Sequence, residues 1–166
     1  MTDAVEVIER VLKAGFLSAG LTVIPDRGAT RADFDEEERL LPRPLSHVVR
    51  RLLARWNGLN LDVVRLYGCG SVVNGIKRLS PHQLRLAPDE LRNLDKPMVI
   101  GSDPSGFVYV EDTRGPVWSL DTDGGELTRL GDNLDDFLGR VVFGEDAEAF
   151  AGGDWVRTLR DAGLIT

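Results

Sequence analysis

KPMVIGSDPSGFVYVEDTRGPVWSLDTDGGELTRL, residues 96–130, holds four short runs rich in β-branched and aromatic side chains: Lys96 to Ser102, Phe107 to Glu111, Val117 to Leu120 and Glu126 to Leu130. Between them lie Asp103-Pro104-Ser105-Gly106, Arg114-Gly115-Pro116 and Asp123-Gly124-Gly125. These are turn formers for separate reasons. Glycine admits positive φ, proline presets its own φ, and aspartate bonds to nearby backbone. Runs and turns this short predict an antiparallel meander. Val108 and Val110 alternate with Phe107 and Tyr109, so both faces of that strand are apolar. It is expected to be covered on both sides, or to leave one face for a partner.

Outward from the meander the apolar period changes. Leu61 to Tyr67 is one further predicted strand. Before it, Leu45, Val48, Val49, Leu52, Leu53 and Trp56 form a continuous helical stripe, with Pro44 suited to the first turn and Asn57-Gly58 to the stop. His47, Arg50, Arg51 and Arg55 fall on its polar face, where cations complement the helix C-terminus. Asp3 to Ala19 reads as a first helix, with Val5, Ile8, Leu12 and Phe16 on one face, Asp3 and Glu6 at capping-box spacing, and Gly20 as its end. Leu21 to Leu41 reads as a connection with one short helical turn, and its run Asp35-Glu36-Glu37-Glu38 as a solvated face. After the meander, Leu134, Phe137, Leu138, Val141 and Val142 repeat the stripe, with Asp132 or Asn133 as cap. Residues 146–163 read as a short helix broken at Gly152-Gly153. Helices, then strands, then helices indicate an α+β domain: a mostly antiparallel sheet of about five or six strands with helices packed against it.

The 166 residues have the length of one domain. Cys69 is the single cysteine, so no internal disulfide forms, which suits a reducing compartment. The opening MTDAVEVIER is acidic and does not read as a signal peptide, and no apolar run approaches the roughly 18 residues of a membrane span. A cytoplasmic protein without membrane attachment is expected. Net charge is −7, and it is uneven: residues 101–166 hold fourteen Asp/Glu against five Lys/Arg, while residues 1–60 hold nine of each. Such a surface repels phosphate backbones and attracts basic partners, which argues against direct nucleic-acid binding.

The sequence carries no complete catalytic or ligand motif. His47 and His82 make no ligand-spaced pair, and Cys69 has no CxxC partner. Gly101 to Gly106 has phosphate-loop spacing, but Phe107 and Val108 stand where Lys and Ser/Thr are needed. Gly68-Cys69-Gly70 begins like a dinucleotide fingerprint, and Val73 replaces its third glycine. Asp121 to Glu126 has carboxylates near calcium-loop positions but the glycine is misplaced, so a hairpin turn explains it. The expectation is a non-enzyme with no catalytic residue, no metal and no cofactor.

Leu41-Pro42-Arg43-Pro44-Leu45 entering the helix that ends at Trp56-Asn57-Gly58, then Val99-Ile100-Gly101-Ser102-Asp103 with Gly106, resembles the SUKH superfamily of bacterial immunity proteins and fungal cell-wall regulators. Val117-Trp118-Ser119-Leu120-Asp121 and Leu134-Asp135-Asp136-Phe137-Leu138 are similar too, so the resemblance spans residues 40–140. Val72 to Leu94 and the extension after Phe143 lie outside the pattern. The resemblance implies one SUKH-like domain over residues 1–166 that binds and neutralises a cognate toxin, often a nuclease. A basic toxin domain would match the acidic half of the chain. The partner-binding candidates are Asp103, Tyr109, Glu111, Asp112, Asp121, Asp123 and Glu126. A regulatory scaffold binding a host protein, a small-molecule-binding domain and an unrecognised hydrolase remain as alternatives.

Overall fold

The computed structural model describes residues 2–18, 20–84 and 89–166. Its six strands follow one another across a single sheet in the order β1-β2-β3-β4-β5-β6, each neighbouring pair antiparallel. They are β1 (Leu59–Leu61), β2 (Val64–Leu66), β3 (Met98–Ser102), β4 (Val108–Glu111), β5 (Val117–Leu120) and β6 (Leu127–Gly131). The meander of residues 96–130 is present, with β3 starting two residues later than its apolar run. Lys96 sits at φ 43 and Pro97 has no N–H, so neither joins the ladder. The expected single strand from Leu61 to Tyr67 is instead a hairpin, β1 turning into β2 at Asp62, φ 46. Aspartate tolerates this left-handed backbone. Its carboxylate is anchored there by the Ser18 N–H and the Thr22 hydroxyl, 40 and more residues away, which a local reading does not reveal.

The helices are α1 (Ala4–Ala14), α2 (Arg31–Glu38), α3 (His47–Arg55), α4 (Leu134–Asp136), α5 (Ala147–Ala151) and α6 (Gly153–Asp161). α1 stops at Gly15, φ 68, rather than at Gly20, and Ala19 lies outside the described residues. α2 replaces the expected connection. Thr30 and Asp33 form its capping box, so an eight-residue helix stands on a stretch with little apolar periodicity. α3 begins at His47 rather than at Pro44, because the Ser46 hydroxyl accepts from the Val49 N–H and sets the cap there. Its stripe is buried at Val49, Leu52, Leu53 and Trp56. Asn133 caps α4, which continues as a π-helix over Phe137–Val142. α5 and α6 break at Gly152, as the glycine pair predicts. They fold back on the molecule, with the Trp155 indole N–H donating to the Val142 carbonyl at 2.7 Å.

One face of the sheet meets the helices. The Tyr109 ring on β4 stands 5.0 Å from Phe137 of the π-helix. The opposite face receives the chain between β2 and β3. There a bulge between Val99 and Gly101 frees the Val99 backbone, and the Gln83 side-chain amide satisfies both its N–H (3.0 Å) and its carbonyl (2.8 Å). β4 is therefore covered on both faces: Tyr109, Val110 and Glu111 are buried, and only Phe107, just outside the strand, is exposed. Among the described residues no helix is long and apolar enough to cross a membrane.

Candidate partner-binding surface

Sequential antiparallel strands put alternate turns at opposite ends of a sheet. The β1–β2, β3–β4 and β5–β6 turns share one end, and the β4–β5 turn lies at the other. Asp103, Asp121, Asp123 and Glu126 therefore come to a common end, on turns two interstrand spacings apart, about 10 Å. Each turn is built by its aspartate. Asp103 Oδ1 accepts from the Phe107 N–H at 3.0 Å, and Asp121 Oδ1 accepts from the Asp123 and Gly124 N–H groups, each at 3.0 Å. These bonds leave carboxylate lone pairs facing water. Asp103 and Asp121 are half-buried, while Asp123 and Glu126 are exposed. Arg65, opposite Ser102 on β2, lies one residue inside this end.

The other three candidates are inside the molecule. Tyr109 packs on Phe137, and burial pushes its phenol above the ordinary value. Glu111 is 2% exposed and sits against the entry to α3. It accepts from the Ser46 hydroxyl at 2.7 Å and from the Arg43 guanidinium at 3.0 Å. Burial pushes its carboxyl upward, and those two donors pull the other way. Asp112 is at the far end of the sheet, where the Arg114 guanidinium holds its carboxyl down at about 2. Sequence alternation places Tyr109 and Glu111 on one face of β4 but does not say that helices cover that face. A binding surface in this fold is therefore drawn from Asp103, Asp121, Asp123 and Glu126, without these three.

The acidic run on α2 is solvated at Asp35 and Glu36 but not at Glu37 and Glu38. Glu37 is fully buried. It accepts from the Gly70 N–H at 2.8 Å, the Ser80 N–H at 2.6 Å and the Arg78 guanidinium at 2.8 Å. Burial opposes its charge, and these donors outweigh it and hold the carboxyl below the ordinary range. Glu38 pairs with Arg50, whose guanidinium also lies 4.4 Å from the Phe34 ring centre. Phe34 carries the overlooked signal. It is the one large apolar residue of α2, and Asp33 and Glu37 at i−1 and i+3 share its buried face. The same cluster bears on Cys69. Burial first, then the neighbouring Glu37, Glu38 and Asp33 carboxylates, push its thiol up to about 12. A thiol held protonated in this way is a poor nucleophile or metal ligand. Among the described residues no three His, Cys, Asp or Glu side chains converge so as to hold a metal ion.

A groove of about 380 Å³ runs beside β6, between that strand and the π-helix with α5. Leu130, Val141, Ala149 and Phe150 supply its apolar lining, and Arg129, Asp132, Arg140 and Asp146 its rim. Compared with protein-family models the chain matches none, and a comparison with curated proteins gives no match either, so the likeness to the SUKH superfamily rests on the quoted residues alone.

Proposed function

We propose that the chain is a protein-binding module of the immunity type, which neutralises a toxin by covering a basic surface on it, a nuclease domain being the fitting class. In this reading it is not an enzyme, it needs no cofactor, and it works in the cytoplasm. One observation carries the reading. Asp103, Asp121, Asp123 and Glu126 share one end of the sheet, and among the described residues none of them is in an ion pair. Elsewhere arginines neutralise the carboxylates they meet: Arg43 with Glu111, Arg78 with Glu37, Arg51 with Asp135, and Arg140 with Asp136 and Asp146. Part of the negative charge left over thus lies together where the turns project, and such a cluster steers an oppositely charged partner. A regulatory scaffold would use the same end on a host protein.

The test is association kinetics with a partner captured from native cells, for the unmodified chain and for Asp123→Lys with Glu126→Lys, both exposed and neither an acceptor in the turn. Association of the unmodified chain should slow as salt rises from about 50 mM to about 500 mM, across which the Debye length shrinks by roughly threefold. The double variant should associate about tenfold more slowly at low salt, with its melting temperature unchanged. Salt-independent association together with an unaffected double variant would remove this end from the interface.

A further inference from the structure

The two edges of the sheet are unlike. At β1 the backbone of Asn60 exchanges two hydrogen bonds, both 3.0 Å, with Val23, so that edge is covered. β6 pairs with β5 alone, and among the described residues Leu127 to Gly131 make no other backbone hydrogen bond. Its middle residues Thr128 and Arg129 are exposed. An open edge is a row of unmet N–H and C=O groups, which an extended backbone satisfies by adding a strand. Alongside lies the groove with Leu130, Val141, Ala149 and Phe150, placed to receive alternate side chains of such a strand.

Charge decides which segment fits. Arg129 is bonded to Asp132, and Arg140 is shared between Asp136 and Asp146, so the cations here are all paired. The uncompensated charge is negative: two carboxylates on one Arg140, and Glu126 immediately before β6 with no cation. β6 also runs directly out of the acidic turn. We propose that β6 takes an extended segment of the partner as a seventh strand, with apolar side chains in the groove alternating with Lys or Arg. This rests on the protein-binding reading above and names the part of the partner that docks.

The probe is a synthetic peptide of about seven residues alternating valine and lysine, long enough for an ordinary strand. Controls are its valine–glutamate counterpart and the same lysine peptide N-methylated along one edge, which keeps charge and side chains but removes backbone donors. Amide resonances of the full chain report where each binds. The lysine peptide should shift Leu127 to Gly131 together with Ala149 and Phe150. N-methylation or Ala149→Arg should each weaken it by at least about tenfold, and the glutamate peptide should not bind. Shifts elsewhere, or equal binding of the N-methylated peptide, would overturn strand addition. So would sedimentation of the chain alone as a dimer joined through β6, since a second copy would then be the occupant. Because the probe does not involve the native partner, it can fail while the salt and charge-reversal test succeeds, and the reverse.

Discussion

Glu37 shows how much of this fold rests on single carboxylates. It joins α2 to Gly70, Arg78 and Ser80, so one side chain fixes a stretch of chain that has almost no regular structure of its own. Glu37→Ala leaves two buried N–H groups and a guanidinium without their acceptor. A loss on the order of 2–5 kcal/mol in chemical denaturation is expected, from backbone donors left unsatisfied at about 1–3 kcal/mol each. Glu37→Gln should lose less, because its amide oxygen still accepts one of those bonds. Asp33 and Asp112 give the pH dependence. Burial opposes the charge of Asp33, and bonds from Arg27 and Thr30 outweigh it and hold the carboxyl at about 2. Asp112 is held at about 2 chiefly by Arg114. A depressed folded value stabilises the folded state above the unfolded value of about 3.9. The stability these two contribute should therefore be fully present above about pH 5 and fall as pH drops towards about 2, as followed by thermal melting of the unmodified chain beside Asp33→Asn and Asp112→Asn. Melting that is flat through that window would mean these two bonds contribute nothing.

Among the elements, α3 and the meander were the most legible in the sequence, because each repeats a period whose physical cause is local. Leu52 is 1% exposed on the α3 stripe, so Leu52→Ala should cost on the order of 2–5 kcal/mol. A change within about 0.5 kcal/mol, read by denaturant titration, would mean the stripe is not packed as described. What stayed hidden depends on distant partners. The β1–β2 turn is held by Ser18 and Thr22, and its Asp62 stands without the glycine or proline that marks the other turns. α2 was hidden because its buried face presents Asp33 and Glu37 where a hydrophobic residue would have announced it. The candidate surface was half legible. Turn aspartates declare their place, whereas the burial of Glu111 follows from Arg43, which lies 68 positions earlier.

At the scale of the whole molecule, charge and topology separate cleanly. Arg50 and Arg51 on α3 and Arg140 on the π-helix are spent on half-buried or buried carboxylates of the chain itself, so part of the acidic balance of residues 101–166 emerges at the turns and beside β6. Strands adjacent in the sheet are adjacent in chain order, and all but β2 and β3, which are joined across residues 67–97, close over short loops. α1 makes a contact across most of the chain. The Ala4 N–H donates to Asp135 at 2.7 Å across 131 positions, and Arg51 bonds the same carboxylate while also reaching Asp3. During synthesis, then, the first helix emerges with its apolar stripe long before the residue that receives it has been made. Until Asp135 leaves the ribosome, α1 has only α3 to rest on, through pairs such as Arg51 with Asp3 and Arg55 with Glu9, and its Arg10 and Lys13 are open to trypsin. Nascent chains halted short of Asp135 should be cut there within a brief digestion, and chains released at full length should resist. The order of synthesis thus leaves the first helix half-seated until Asp135 has been made.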